Sequence, residues 1–155
     1  MTGPVVNETM RNFGYPETVI AETDQWVVQL RPQQITLGSL VLINRQQVNA
    51  FGEVSPEGFA QLQPAVSRIE TVLKHFVDYQ KINYLMLMMV DNDVHFHVLP
   101  RYEGSRTYRG REFSDAGWPG PPALAQFVTP DGDNAGHLVK KLRKLWAEAG
   151  GPMSA

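Results

Sequence analysis

The sequence predicts an α+β fold in which helices cover an antiparallel sheet of about five strands. Short β-branched runs separated by turn-length polar segments indicate strands joined by hairpins. Near the middle of the chain the apolar spacing changes to that of a long amphipathic helix, and a shorter helical pattern follows near residue 140. Strands joined mainly by hairpins and covered by helices form an α+β architecture.

Three strands are predicted before the long helix, over 18–22, 26–30 and 38–43. A polar turn joins the first two. Pro32 follows the second strand, and because proline cannot donate to a β-ladder we expect the strand to end before it. Gly38 marks a bent entry into the third strand.

The long helix begins after Ser55, which is a favourable N-cap, and Pro56 suits the first helical position because the missing amide costs nothing there. Pro64 lies inside the pattern, and its ring predicts a kink or a broken first turn. The stripe that faces the sheet recurs at steps of three and four residues: Phe59, Leu62, Val66, Ile69, Leu73 and Phe76.

A second hairpin is predicted from strands over 82–89 and 94–99, joined by a tight polar turn over 91–93. The methionines of 86–89 favour adaptable core packing in a buried strand, and a base-binding surface is the alternative. After a polar stretch over 103–115, the segment 118–122 is expected to be rigid and extended. Leu138, Leu142 and Leu145 mark the last helix.

The chain has 155 residues, 43% hydrophobic and 19% charged, which is typical of a single globular domain. A formal net charge of −2 provides no chain-wide basic surface for nucleic acid or an anionic membrane. The absence of cysteine excludes disulfides, thiolate metal sites and cysteine nucleophiles. The longest apolar run, over 84–90, is far shorter than the ~20 residues of a membrane-spanning helix. We therefore expect a cytoplasmic protein without nucleic-acid or membrane partners.

The residues with the clearest chemical potential are His95 and His97. The segment Val94-His95-Phe96-His97-Val98 alternates strictly, so both imidazoles lie on one face of the strand. Two such imidazoles can bind a metal with Asp93 as a third ligand, act on a substrate as nucleophile and anion binder, or serve as hydrogen-bonded structural residues. The spacing alone leaves these three uses open.

The string Asp93-Val-His95-Phe-His97-Val-Leu-Pro100-Arg101 resembles the signature of the histidine triad (HIT) superfamily, His-φ-His-φ-His-φ-φ, which is often followed by Pro-Arg. The order of predicted elements over about 18–102 is also similar to that domain, and a bacterial diadenosine polyphosphate hydrolase-like branch is the nearest resemblance. The resemblance implies a HIT-like domain over 18–110, followed by a C-terminal extension over 111–155. Residues 1–17 contain glycine and proline without an apolar period, which predicts an irregular N-terminal arm.

The resemblance implies a hydrolase or nucleotidyl transferase that acts at the α-phosphate of a nucleoside or dinucleoside polyphosphate or phosphoramidate. His95 would be the nucleophile and His97 would contact the phosphate oxygens. The resemblance implies neither a cofactor nor a metal. It does imply a homodimer in which the two sheets join. We expect His95 to be partly exposed in a pocket. A nucleotide-binding module with little or no turnover and a His-x-His metal-binding protein are the alternatives.

The sequence departs from the family pattern at several positions. Asp93 replaces the first histidine of the triad and Ser39 replaces a fourth histidine, so we expect these two side chains to lie close together behind His95. The usual glycine-rich loop is missing, which leaves Asn92 as the first amide able to donate to phosphate. Arg31 stands where the family has a ribose-binding acid or amide, and it favours an added phosphate or carboxylate. Arg101 is expected to bind phosphate, and a solvated surface arginine is the alternative.

Overall fold

The computed structural model describes residues 5–150. Residues 1–4 of the predicted arm and 151–155 of the predicted extension lie outside them. The helices are Glu8–Asn12 (α1), Pro56–Val77 (α2) and Asn134–Glu148 (α3). The strands are Val19–Glu22 (β1), Trp26–Leu30 (β2), Leu40–Asn44 (β3), Lys81–Leu85 (β4), His95–Arg101 (β5), Ser105–Tyr108 (β6) and Arg111–Ser114 (β7).

Five strands form one antiparallel sheet in the order β1-β2-β3-β5-β4, which confirms the predicted α+β fold. In the centre, Val41 of β3 pairs with His97 of β5, and Ile43 pairs with His95. This register fixes the neighbours of both histidines. A separate two-stranded sheet, β6-β7, follows along the chain.

Helix α2 begins where the sequence predicts. The Ser55 hydroxyl accepts a hydrogen bond from the backbone N–H of Gly58 at 3.0 Å, which caps the first turn. The predicted break at Pro64 is wrong, because the helix runs on to Val77 in one piece. Pro64 has no N–H to donate to the carbonyl of Ala60, four residues earlier. Because both residues lie on the exposed side of the helix, water can satisfy that carbonyl.

The sheet is covered on both faces. Helices α2 and α3 pack on one face, where Ile69, Leu73 and Leu142 are completely buried. Beneath the other face lies the N-terminal segment, whose Met10 packs against Val27, Val41 and Ile43. The prediction of an irregular arm over 1–17 is therefore wrong for 8–12, which form a helix that belongs to the core.

The loop between β4 and β5 differs from the sequence prediction. Strand β4 ends at Leu85, so the predicted strand over 86–89 is wrong. The predicted core packing holds for Met86 and Met88, which pack against the core, but not for Met89. Met89 and Val90 are 84% and 86% exposed, and Met88 has a positive φ of 56°. The two strands are thus joined by a long exposed apolar loop rather than by a tight turn.

The region after β5 contains a hairpin that the sequence analysis does not predict and a segment that it predicts wrongly. The polar stretch over 103–115 forms the β6-β7 hairpin. The segment 118–122 is folded into turns rather than extended, since the Gly120 N–H donates to the Gly117 carbonyl at 2.7 Å. The predicted last helix is confirmed as α3. Within residues 5–150, no helix is both long and apolar enough to cross a membrane.

Candidate active site

His95 and His97 lie side by side on the face of β5 that α1 covers, with ring centroids 5.1 Å apart. The predicted sharing of one strand face is confirmed by their pairing with Ile43 and Val41. The expectation that His95 is partly exposed is wrong, because His95 is only 2% exposed and His97 only 8%.

Phe13, just after α1, is the residue that covers the histidines. Its ring centroid lies 6.0 Å from that of His95 and 5.9 Å from that of His97. The N-terminal segment is held in place by side chains of the sheet and its loops, since Gln29 Nε2 donates to the Met10 carbonyl and Asn12 Nδ2 donates to Asp91 Oδ1. No apolar period in the sequence predicts that this segment covers the histidines.

The ring orientation of His95 is set by its own strand. Its Nδ1 lies 2.6 Å from the backbone oxygen of Asp93. Because a carbonyl oxygen can only accept, Nδ1 carries the proton in this contact and Nε2 keeps its lone pair. The neutral tautomer of His95 that fits this contact has its lone pair on Nε2.

His97 has the opposite arrangement of donor and acceptor. The Nε of Arg31 donates to His97 Nδ1 at 3.3 Å, and because a guanidinium has no acceptor, Nδ1 must carry the lone pair. The proton of neutral His97 is then on Nε2. Burial lowers the pKa of His97 to about 4, with smaller contributions from the positive charge of Arg31 and from His95. His97 is therefore neutral at pH 7 and able to donate from Nε2.

Arg31 is placed by the loop between β2 and β3. The buried amide of Gln34 donates to the carbonyls of Arg31 and Ser39 and accepts from the Gly38 N–H at 2.8 Å. Gly38 has a φ of +92°, which explains the glycine at the predicted bend. Sequence reasoning missed Gln34, because an isolated glutamine in a loop has no distinguishing pattern.

Asp93 holds the N-terminal segment rather than contacting Ser39. Its Oδ2 accepts from the Thr9 N–H and its own N–H donates to Thr9 Oγ1, both at 3.1 Å. Ser39 instead hydrogen bonds with the backbone of Thr36. Since Leu40 pairs with Val98, Ser39 precedes β3 at the end of the strand pair far from Asp93, roughly 20 Å along the strands. The expectation that Asp93 and Ser39 lie close together is wrong.

Within the described residues, neither Asn92 nor Arg101 hydrogen bonds with the histidine rings. Asn92 is exposed and lines a polar cavity of about 410 Å³ with Asp93, whereas Arg31 lines a different one. Arg101 is buried and its guanidinium donates to both oxygens of Asp115, at 2.7 and 3.0 Å, and to Asn83 Oδ1. Because these internal acceptors occupy its donors, the prediction that Arg101 binds phosphate is wrong.

The structure therefore brings together His95, His97 and Arg31, and leaves the other predicted site residues outside this group. The neighbouring groups do not complete a metal site in the described part of the chain, where no cluster of three or more histidine, aspartate or glutamate side chains has metal-binding geometry. The arrangement instead pairs a nucleophilic nitrogen with an imidazole N–H donor beside a cation.

A sequence model of the HIT domain matches residues 12–104, which include β1 to β5 and both histidines. The chain belongs to the HIT domain family. Among curated proteins no sequence is significantly similar to it.

Solved structures of HIT proteins have the same fold as this HIT domain. A histidine triad protein from Marinobacter aquaeolei VT8 is 19% identical, with a TM-score of 0.72 over 94% of this chain and 98% of that one. A HIT protein from Sinorhizobium meliloti 1021 is 20% identical, with a TM-score of 0.71 over 93% and 98% of the two chains. A zinc-bound histidine triad family protein from Mycobacterium smegmatis is 19% identical, with a TM-score of 0.58 over 91% of each.

Proposed function

We propose that this HIT domain is a hydrolase or nucleotidyl transferase that acts at the α-phosphate of a nucleoside or dinucleoside polyphosphate or phosphoramidate. The observation that carries the proposal is the hydrogen bond from His95 Nδ1 to the Asp93 backbone oxygen, at 2.6 Å. It leaves Nε2 as the lone-pair nitrogen, which is the form of imidazole that attacks phosphorus. Asp93 takes the place of the first triad histidine in this proposal, as in a diverged diadenosine polyphosphate hydrolase-like branch.

The reaction has two displacements at phosphorus. The Nε2 lone pair of His95 forms a P–N bond, the bond to the leaving group breaks, and the leaving group takes its electron pair. The resulting nucleotidyl imidazole carries a positive charge because Nδ1 keeps its proton, so it is a good leaving group in turn. Water or another acceptor then attacks phosphorus, the P–N bond breaks, and the proton of the acceptor passes to solvent.

His97 supports both displacements as a hydrogen-bond donor. Its Nε2–H is directed away from Arg31, which occupies Nδ1. A fixed neutral donor stabilises the charge that develops on a phosphoryl oxygen, without a proton being transferred. Such a role agrees with the low pKa of His97, about 4, which keeps the ring neutral across the physiological range.

A second candidate function, nucleotide binding with little or no turnover, is favoured by a different observation. Phe13 covers both rings, and His95 is 2% exposed. A phosphate can reach Nε2 only when Phe13 and the adjoining segment move. If that movement is rare, binding at the rim would not lead to chemistry.

The proposed assembly is a cytoplasmic homodimer in which the sheets of two copies join, without cofactor, metal, membrane or nucleic acid. Strand β4 supports the dimer because it is an edge strand of the sheet. The loop after it supports the same assembly, since it exposes Leu87, Met89 and Val90. An open edge strand beside exposed apolar side chains is typical of a surface that pairs with another strand.

The test is a panel of dinucleoside polyphosphates and nucleoside phosphoramidates incubated with the wild-type protein. We expect release of the nucleoside monophosphate and a nucleotidyl adduct on His95 that mass spectrometry detects after rapid acid-free quenching. Because His95 is buried, His95→Gln is used beside His95→Ala, and both should reduce turnover by about 10³-fold or more. His75→Ala, on the exposed side of α2, is the matched control. Binding without any adduct or product would establish the second candidate instead.

A further inference from the structure

We infer that Arg31 binds a second anionic group of the substrate, distinct from the phosphate at which His95 reacts. The inference deepens the proposed function and rests on it for the position of the reacting phosphate. The class of substrate it indicates is a nucleotide that carries an additional phosphate or a carboxylate near the α-phosphate.

The charge of Arg31 is not neutralised within the protein. The other buried arginines of the sheet have acidic partners, since Arg45 forms an ion pair with Glu22 and Arg101 with Asp115. No aspartate or glutamate within residues 5–150 lies at ion-pair distance from Arg31. A half-buried guanidinium without a counterion is costly unless a ligand supplies the negative charge.

The surroundings of Arg31 confirm that its charge is poorly solvated. Burial lowers the pKa of this guanidinium from its ordinary value, and no acidic group acts in the opposite direction. At this position the side chain lines a cavity of about 280 Å³ together with Asn12, Phe13, Pro32 and Gln33. None of these neighbours carries a negative charge. The cavity is therefore a concave space in which Arg31 is the one charged residue among the described residues that line it, with Asp91 behind it as the hydrogen-bond partner of Asn12.

Two donor directions of Arg31 are already used, and they define where an anion can bind. Nε donates to His97 Nδ1 at 3.3 Å, and Nη1 donates to the Gln33 carbonyl at 2.8 Å. Within the described residues Nη2 donates to no protein acceptor. The backbone beneath it is fixed by the buried Gln34 amide, so the guanidinium is held in place before a ligand arrives.

The geometry at His97 separates this anion from the reacting phosphate. Arg31 approaches the ring at Nδ1, whereas the proton that would meet a phosphoryl oxygen is on Nε2. These two nitrogens lie on different edges of the imidazole ring. Arg31 Nη2 and His97 Nε2–H are therefore separate donors, and we assign the reacting phosphate to His97 Nε2–H and the second anion to Arg31 Nη2.

Calorimetric titration of the wild-type chain with AMP, adenosine 3′,5′-bisphosphate and adenosine 2′,5′-bisphosphate tests the inference. A further pair of ligands tests a carboxylate as the second anion. In one, AMP is joined through a phosphoramidate bond to aspartate, and in the other it is joined to aspartate diamide, which has no carboxylate. Their binding is measured on His95→Gln to prevent turnover. We expect at least one ligand with a second anionic group to bind about tenfold or more tightly than its partner without that group. The pair of ligands that shows the gain in affinity identifies the second anionic group as a phosphate or a carboxylate.

Arg31→Gln should abolish that gain, so that the ratio of the two affinities falls to about one whatever the effect on AMP itself, and Arg31→Lys should retain part of the ratio. Arg111→Gln, an exposed site on β7 with the same change of charge, should leave all affinities unchanged. An unchanged affinity ratio in Arg31→Gln would overturn the inference, as would the absence of any gain in the wild-type chain. If AMP fails to bind but inorganic pyrophosphate binds in an Arg31-dependent way, the nucleotide function fails and the anion site remains. If none of the probes binds, both fail.

Discussion

His97 is the residue whose protonation the folded state opposes most clearly. In the unfolded chain the imidazole takes up its proton near pH 6.5, whereas in the folded chain burial and Arg31 delay this until about pH 4. Between these values the unfolded state binds more protons, so acid favours unfolding. The stability that neutral His97 contributes is complete above pH 6.5 and is lost as the pH falls towards 4.

We therefore predict that His97→Gln loses less stability on acidification than the wild-type chain does. The difference in the free energy of unfolding between pH 7 and pH 4.5 should be smaller in the variant by roughly 2 kcal/mol. Urea unfolding at both pH values measures it, with the exposed His75→Gln as the control. Parallel pH dependences of wild type and His97→Gln would show that His97 titrates normally.

Asp93 gives a second prediction at the scale of one residue. In Asp93→Ala the N–H of Thr9 loses its acceptor at a buried position, and we expect a loss of about 1–3 kcal/mol in the free energy of unfolding. Asp93→Asn keeps a carbonyl oxygen for this bond and should cost less. Thermal unfolding compares the two with Asp133→Ala, whose carboxylate is exposed. An alanine variant as stable as the asparagine variant would show that the hydrogen bond from the Thr9 N–H to the Asp93 side chain does not stabilise the fold.

At this scale, the sequence could predict which residues share a face but not which residues meet. Strict alternation was sufficient to place His95 and His97 side by side. It was not sufficient for Asp93 and Ser39, because their distance depends on the register between β3 and β5. The contact between Arg31 and His97 depends on a loop conformation fixed by Gln34, for which no local pattern exists.

Among the elements, the N-terminal segment has the most direct consequence for reactivity. Phe13 packs on both histidine rings, and we predict that Phe13→Ala increases their accessibility. The rate at which diethyl pyrocarbonate modifies His95, measured by peptide mass spectrometry, should rise by about tenfold or more, since the barrier to exposure is lower.

Phe127→Ala is the matched control, because Phe127 is a partly exposed phenylalanine that has no ring contact with the histidines. It should leave the rate of modification unchanged. If His95 is modified no faster in Phe13→Ala than in wild type, another part of the chain limits access to it. A faster turnover in Phe13→Ala than in wild type would further identify opening of this segment as the slow step.

The elements that the sequence predicted well are those with a strong period or a strong cap. Ser55 and Pro56 mark the start of α2 correctly. The three-four spacing marks the face that packs on the core from Leu62 onward, whereas Phe59 at its start is 41% exposed. The β6-β7 hairpin was missed because its turn is Arg109-Gly110, where both residues have positive φ. Asn-Gly is the usual signal for that geometry, and arginine does not provide it.

The molecule as a whole exposes the edge strand β4 next to an apolar loop. Both features would be unfavourable on the surface of a monomer. Helix α3 packs against β1, and Arg143 donates to the Val19 carbonyl, so that edge of the sheet is covered. Strand β4 has no such cover among the described residues. The composition could not predict this asymmetry, because an exposed methionine and a buried one look the same in a sequence.

We predict that the chain is a dimer at micromolar concentration and that the loop after β4 contributes to its interface. Met89 and Val90 are 84% and 86% exposed, so burying them against a second copy would contribute about 1.5–3 kcal/mol for each side chain. The double variant Met89→Lys, Val90→Glu should shift the equilibrium towards monomer. Its fold should persist, because neither side chain packs in the core of one chain.

Sedimentation velocity over about 1–50 µM separates the outcomes. Wild type should show a dimer that dissociates on dilution, and the double variant should remain monomeric at concentrations where wild type is dimeric. Leu124→Lys changes another exposed apolar residue and should leave the dimer intact. A monomeric wild type at 50 µM would contradict the prediction, and a double variant that still dimerises would place the interface elsewhere. Far-UV circular dichroism of the variant verifies that the loss of dimer is not a loss of fold.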